Sequence, residues 1–345
     1  MLNHDEIFMQ RCFDLAELAG FETRPNPKVG AVLVHEGLII GEGYHAHYGR
    51  AHAEVNAINS VPDDKKHLIS DSTLYVSLEP CNIFGKTPPC SELIIKNNIK
   101  KLVISALDPN PLVAGKSALY LESKGIHIIK GILEEKGKDL IKVFRKNILY
   151  KKPYIILKFA KSRDNFIGNQ KVQINLTGKA TDIFTHQLRN DSEGIMIGTN
   201  TALIDNPSLT TRNITGRNPV RIVLDRNLRI PADYNIFNKS GQLILVNNLK
   251  NEENDNVIYK KMDFFGPDFL DKLLDYLFTK NIFQLIVEGG AELLNSFIRT
   301  GLWDEALIVD TPAIIGKGIK APELSGKLVR KIELGMDIVY IVKKN

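Results

Sequence analysis

Apolar side chains recur at helical spacing over residues 6–20 (Ile7, Phe8, Cys12, Leu15, Leu18, Ala19), and the run stops at Gly20, which predicts an amphipathic helix. A proline-punctuated loop, Arg24-Pro25-Asn26-Pro27, follows it. Residues 30–34 then read as a strand, His35-Glu36-Gly37 as a turn and 38–40 as the return strand. Beyond this hairpin the period switches repeatedly. Helices are expected at 53–60, 91–97 and 115–124, strands at 73–78, 101–106 and 126–130, and a last amphipathic helix at 134–147. Strands alternating with helices imply an α/β fold whose crossovers bury both faces of the sheet.

Tyr150-Lys151-Lys152-Pro153 breaks this pattern, so a boundary is expected there, with domains at 1–149 and 150–345. A second series follows, with strands at 154–160, 194–198, 220–224, 242–246 and 283–287 and helices at 180–190, 267–279 and 291–299. It predicts a second α/β domain of about the same size. The segment 232–262 is polar and Asn-rich, and only its one strand is legible. No internal repeat or low-complexity tract is present.

Composition agrees with two domains: 345 residues exceed one ordinary core, and 43% apolar with 25% charged residues is a globular mix. A net charge of +5 suits an anionic small substrate and, with no dense basic block, argues against nucleic acid. The densest cluster, Lys142-Val143-Phe144-Arg145-Lys146 with Lys151-Lys152, reads as a solvated helix face and linker. Three cysteines make no disulfide framework and point to a reduced, cytoplasmic setting. Cys12 falls on the apolar side of the first helix and is expected in the core. The first residues lack a signal peptide's basic and apolar regions, and no stretch is apolar enough to span a membrane. The expected partners are an anionic small molecule and further copies of the chain, without nucleic acid or membrane.

The candidate chemistry is carried by His52-Ala53-Glu54, Pro80-Cys81 and Cys90. One imidazole and two thiolates can hold zinc in an open three-ligand site, where a bound water is acidified towards neutrality. Residues two apart diverge inside a helix, so His52 and Glu54 converge only at a helix start, where the pattern indeed places them. Cys81 ends a strand and Cys90 opens a helix, whose N-terminus favours the thiolate. His-x-Glu with Pro-Cys and a second Cys is the pattern of zinc deaminases of nucleobase-like rings, Glu54 being the proton shuttle rather than a ligand. Two other readings stay open on the residues alone: a structural zinc site completed by His45 or His47, and two unrelated cysteines beside a surface His. Eight residues separate the cysteines instead of the usual two.

The second half has no Gly-x-Gly-x-x-Gly fingerprint. It does run a strand into Glu288-Gly289-Gly290 and then a helix, an arrangement that offers free N–H groups to a phosphate, although Glu292 in the first turn would repel one. A second segment, Gly194 to Thr201, leads through Asp205 to Arg212, which either clamps a phosphate or sits on the surface.

The stretches Pro25-Asn26-Pro27-Lys28-Val29-Gly30, His52-Ala53-Glu54-Val55-Asn56-Ala57, Cys81-Asn82-Ile83-Phe84-Gly85-Lys86-Thr87-Pro88-Pro89-Cys90 and Asp108-Pro109-Asn110-Pro111-Leu112-Val113-Ala114-Gly115 resemble the bifunctional deaminase/reductase family of riboflavin biosynthesis. The resemblance covers nearly the whole chain. It implies a cytidine-deaminase-like three-layer α/β/α domain acting on diaminohydroxyphosphoribosylaminopyrimidine. A dihydrofolate-reductase-like α/β domain follows, using NADPH to reduce the ribosyl to a ribityl chain. By the same resemblance Asn26 binds the pyrimidine ring. Lys161, Asn175, Thr201, Asp205 and Gly290 contact the cofactor. Lys158, Gln173, Arg189, Leu209, Arg212 and Glu288 contact the substrate, Lys158 by reading the carbonyl that deamination creates. Taken residue by residue, Asn26 also reads as a turn residue and Lys158 as a solvated strand lysine.

Three departures stand out. Ile83 occupies a place where the family usually has His, and it can neither donate nor accept a hydrogen bond. Asn175 replaces a Trp and offers no ring to stack on the cofactor. Asn165 replaces a turn Gly, which a left-handed Asn can imitate. The competing expectations are a zinc deaminase of another nucleoside or of tRNA adenosine with an accessory domain, and a catalytically silent nucleotide-binding protein.

Overall fold

Successive residues of a strand point to opposite faces, and in the first half of the chain each face has its own helices. The computed structural model describes residues 3–84, 88–111 and 113–345; Gly85-Lys86-Thr87 and Leu112, quoted above, lie outside the described residues. The chain forms two units, Met1–Tyr150 and Lys151–Asn345. The first contains α1 (His4–Glu17), β1 (Gly30–His35), β2 (Leu38–Tyr44), α2 (Ala53–Asn59), β3 (Thr73–Leu78), α3 (Cys90–Lys96), β4 (Lys101–Ala106), α4 (Lys116–Ser123), β5 (His127–Lys130), α5 (Glu134–Leu140) and α6 (Lys142–Tyr150). Its sheet runs β2-β1-β3-β4-β5, antiparallel across β2-β1-β3 and parallel across β3-β4-β5.

Ala31, Leu33, Leu74, Val76, Leu102 and Ile104 pack with Ala53 and Ala57 of α2, Ile94 of α3 and Leu121 of α4. The intervening Val32, Val34, Tyr75 and Val103 pack with Phe8, Met9, Cys12 and Phe13 of α1. Cys12 is fully buried, and its thiol donates to the Tyr75 carbonyl at 3.4 Å. A capping box between Asn3 and Glu6 starts α1 two residues before the apolar pattern does. The expected single helix at 134–147 is broken at Ile141, which leaves helical geometry (φ −100°, ψ 14°) and packs on Leu78 and Ala106.

Two local devices position the future site. Gly43 lets β2 touch α2: a Cβ there would lie 2.5 Å from the Ala57 nitrogen. Glu79, buried just after β3, ties down the loop between β4 and α4. Its carboxylate accepts from the backbone N–H of Asp108 (3.2 Å), Gly115 (2.9 Å) and Ala118 (3.0 Å). Gly115 precedes α4 without a side chain to cap it, so the cap comes from another strand end. In Glu79→Gln the amide has one acceptor oxygen and its NH2 faces donors. A destabilisation of about 1–3 kcal/mol is expected, read from the denaturant midpoint, and an unchanged midpoint would remove the capping role.

The second unit contains β6 (Tyr154–Lys161), β7 (Phe166–Gly168), α7 (Lys179–Asn190), β8 (Gly194–Gly198), α8 (Thr199–Asp205), β9 (Val220–Leu224), β10 (Leu243–Asn247), β11 (Glu252–Asn254), β12 (Val257–Lys261), α9 (Phe269–Thr279), β13 (Gln284–Gly289), α10 (Ala291–Thr300), β14 (Glu305–Asp310), β15 (Ile319–Lys320), β16 (Lys327–Leu334) and β17 (Asp337–Lys343). The large sheet runs β11-β12-β10-β9-β8-β13-β6-β14-β17-β16, and every adjacent pair from β12 to β14 is parallel. One face packs under α9 and α10 through Leu157, Met196, Ile222, Leu285, Leu273 and Phe297. The other packs Ile195, Ile197, Val223 and Ile286 with Leu188 of α7.

The sequence pattern did not indicate α8, β11, β12 or the C-terminal strands. β16 is an edge strand exposed along most of its length, so Lys327-Leu328-Val329-Arg330-Lys331 shows no buried face to read. Asp337, opening β17, is buried and accepts from Gly178 N (2.8 Å) and Thr181 Oγ1 (2.7 Å), which caps α7. Asn165 takes φ 67°, the left-handed turn anticipated for it.

Candidate functional site

His52 is the N-cap of α2 in extended backbone geometry, and Glu54 sits in the helix's first turn. On a helix this is the one arrangement in which an i, i+2 pair converges. Cys81 follows β3 by three residues, and Cys90 opens α3 behind Pro89. The three donor atoms lie within 4.8 Å of one another. The His52 Nδ1 is 3.5 Å from Cys81 Sγ and 3.3 Å from Cys90 Sγ, and the Cys90 N–H donates to Cys81 Sγ at 3.3 Å. The hydrogen bond from the Cys90 thiol pulls Cys81 down to about 4 against burial, with help from His52 and the Cys90 N–H. Cys90 moves the opposite way, raised by its bond to Cys81 and by burial. A preformed thiolate, a second thiol and an imidazole converging on one point fit zinc, whose sites take N and S donors.

Glu54 is 3% exposed. Burial, then the Cys81 charge, pushes its carboxyl up to about 7, against the pull of His52. A carboxyl poised there both takes and gives a proton at neutral pH. His45 is not a fourth ligand. Its ring edges that of His52 with centroids 5.2 Å apart, but its Nδ1 bonds the Ala51 carbonyl (3.0 Å) and its Nε2 meets Asn26 Nδ2 (3.2 Å). Among the described residues, the metal-type cluster contains His52, Cys81 and Cys90 alone. Ile83 is exposed, whereas the neighbouring Asn82 accepts from Ser91 Oγ at 2.7 Å.

In the second unit a cleft of about 1320 Å³ opens at the carboxyl ends of β6, β8, β9 and β13. Ligands bind at such strand ends in parallel sheets. Of the anticipated residues, Lys158, Asn175, Thr201, Asp205, Glu288 and Gly290 line it. Arg189 stands behind Glu288 in a bidentate pair (2.7 and 3.2 Å) that is nearly buried, with side chains 12% and 10% exposed. Burial favours a neutral Glu288, but Arg189, Lys158 and His186 outweigh it and hold the carboxyl down at about 2. Lys158 is half-buried rather than solvated, and burial lowers its pKa. His186 is held down at about 4 by burial and the Arg189 and Arg212 charges.

Besides Arg189, four anticipated residues do not line the cleft. Lys161 pairs with Asp310 at 3.1 Å. Gln173 and Arg212 are exposed on loops. The Leu209 side chain is in the core at φ 55°, so it offers backbone only. Conversely, Arg226 and Arg229 follow β9 at the cleft edge and were not singled out. Their position just past a buried strand's carboxyl end was the available signal. The Gly289-Gly290 turn passes close to α8: a Cβ on Gly290 would lie 3.1 Å from Thr201 Oγ1. A broad cleft with a glycine turn at a helix start and two arginines fits a phosphate-bearing dinucleotide. Glu292 is exposed in the first turn of that helix.

Residues 2–106 match the family described as the cytidine and deoxycytidylate deaminase zinc-binding region, and residues 153–337 match the RibD C-terminal domain. The chain is similar to riboflavin biosynthesis protein RibD of Aquifex aeolicus, at 35% identity over 99% of this chain and 98% of that one. It is similar to the Escherichia coli RibD at 31% identity over 90% and 89%. A Thermotoga maritima crystal structure, described as a diaminohydroxyphosphoribosylaminopyrimidine deaminase/5-amino-6-(5-phosphoribosylamino)uracil reductase, superposes with a TM-score of 0.89 at 32% identity over 99% of both chains. Acinetobacter baumannii RibD gives 0.85 at 30% identity over 99% of both.

Proposed function

This chain belongs to the RibD family of riboflavin-biosynthesis proteins, and on that premise we propose how its residues divide two consecutive reactions. The enzyme is bifunctional, a zinc deaminase and an NADPH-dependent reductase. Its first unit has a cytidine-deaminase-like fold and its second a dihydrofolate-reductase-like one. We assign deamination to residues 1–149 and reduction to 150–345. The substrate of the first step is the phosphoribosylaminopyrimidine named for the Thermotoga relative, and that of the second is the deaminated uracil.

His52, Cys81 and Cys90 would hold the zinc, which when bound supplies a water acidified towards neutrality. Glu54 would take a proton from that water and return protons to the ring nitrogen and the departing ammonia. Asn26 orients the ring. In the second unit the chemistry that bound NADPH would supply is a hydride. Asn175, Thr201, Asp205 and the Gly290 turn would hold the cofactor, with Lys161 nearer the strand end. Glu288, fixed as an anion by Arg189, would bind the substrate's hydroxyl-rich chain beside Lys158. Gln173, Arg212 and the Leu209 backbone complete the proposed substrate contacts from the loops. The chain's net charge of +5 suits a phosphorylated small substrate. Among the described residues no helix is long and apolar enough to cross a membrane. A cytoplasmic homo-oligomer remains the proposed state.

The observation that carries the reading is the convergence of three ligand atoms within 4.8 Å beside a buried carboxyl. The test is product mass after incubating zinc-loaded protein with the phosphoribosylaminopyrimidine, with and without NADPH. Without NADPH the product should be the deaminated ring alone, and with it the ribityl form. Unchanged substrate in both arms would overturn the deaminase assignment, and deamination without nicotinamide oxidation would overturn the reductase assignment.

A further inference from the structure

The Asn26 amide has two faces that look alike to a backbone but not to a substrate: an oxygen that accepts and an NH2 that donates. Which one meets the ring decides whether the site selects a ring donor or a ring carbonyl. A chain of obligatory roles fixes the answer. The Ala51 carbonyl can only accept, so the proton of the His45 ring sits on Nδ1, 3.0 Å away. His45 is 2% exposed, and its Nε2 lies 3.2 Å from Asn26 Nδ2, a nitrogen that can only donate. Its Nε2 is then a bare acceptor. The NH2 is thus the face that Asn26 turns towards His45.

The Asn26 oxygen therefore points away from His45. Among the described residues nothing donates to it, and the loop holding it is pinned by the Asn26 N–H to Thr23 carbonyl bond (2.9 Å). His45 N–H in turn bonds the Val29 carbonyl (2.9 Å), which fixes the ring's own anchor. The amide thus stands one side chain from the metal ligand His52, against whose ring His45 packs edge-on at 5.2 Å.

We infer that His45 is a positioning residue of the deaminase, locking the Asn26 amide so that its oxygen is offered to the ring. The unit accordingly selects rings that present an N–H or amino donor at that edge. This rests on the proposed contact between Asn26 and the ring. The same hydrogen-bond chain ties the 24–27 loop to the residue that precedes His52, so ring recognition and the metal ligand share one support.

Asparagine and glutamine can separate the two jobs of the imidazole. His45→Asn keeps a donor near the Nδ1 place for Ala51 and removes the acceptor. His45→Gln supplies an acceptor near the Nε2 place and removes the donor. Ammonia release from the phosphoribosylaminopyrimidine is measured with the full zinc-loaded chain, alongside zinc content. A hydrogen bond mis-set at the ring corresponds to about a tenfold rise in KM. H45N should show that rise with kcat changed less than about threefold and zinc stoichiometry unchanged. H45Q should restore KM to within about threefold of the native value. In an Asn26→Ala background H45N should add nothing, since both act through one contact. Equal losses in H45N and H45Q, or additive effects with N26A, would overturn the positioning role. If N26A itself leaves KM unchanged, the ring contact fails and the inference with it. If N26A raises KM while H45N does not, only the inference fails.

Discussion

Glu54→Gln is expected to keep its zinc and to lose ammonia release by about 10²–10⁴ in kcat, the range a positioned proton-transfer group contributes. The amide matches the carboxylate in shape and retains one acceptor, so the buried space stays filled. It can neither take the water's proton nor hand one to the leaving amine. The loss should fall on kcat, since Asn26 and the three ligands are untouched. Zinc content should stay at one ion per chain, because Glu54 stands beside the donor set and outside it. Oxidation of NADPH with the deaminated uracil supplied directly should match the native rate. Native-level deamination in this variant would dismiss Glu54 as the proton carrier.

Arg189→Met should cost the second unit about 3–5 kcal/mol, the usual result of stranding one partner of a buried ion pair. It should also abolish reduction, since Glu288 would no longer be held as an anion at the cleft. Arg189→Met with Glu288→Met should recover most of the stability and none of the activity. The pair also sets an acid limit. Glu288 ordinarily titrates near 4.5 and is held at about 2 when folded, so its contribution is complete above 4.5 and is lost as pH falls towards 2. That contribution is about 3 kcal/mol. His186 acts in the same direction earlier: with its pKa depressed from 6.5 to about 4, the fold is favoured above 6.5 and penalised progressively below it. The chain's single Trp, Trp303, is 4% exposed in the core under α9 and α10. Its fluorescence therefore reports this unit alone. An acid midpoint that R189M leaves in place would show that the pair does not carry acid stability.

Elements covered on one continuous face were legible because their apolar period is unmixed. α1, β1, β3, β4 and the run from β13 into α10 fall within a few residues of their expected bounds. The metal set was legible because helix geometry permits His52 and Glu54 to converge in one place only. What escaped notice depends on partners distant in sequence. β16 has no buried face, and the buried Asp337 matters through α7, some 156 residues away. Glu79 carries no local signal beyond preceding Pro80, and its three bonds reach residues 29 to 39 positions on. The direction of the Asn26 amide is likewise set by His45 and Ala51, a relation no spacing rule contains.

The three proposed zinc ligands belong to the start of α2, the end of the segment after β3 and the start of α3, so one ion would clasp pieces of chain up to 38 residues apart. An unfolded chain offers no such convergence. Binding energy for the metal is thereby folding energy for the whole first unit. Free zinc becomes a setting for how much of this protein is folded as well as for how much is active. In a metal-starved cell the earlier reaction would fail first, and by melting its own domain, while the second unit, in which the described residues form no metal-type cluster, would wait for a substrate that no longer arrives.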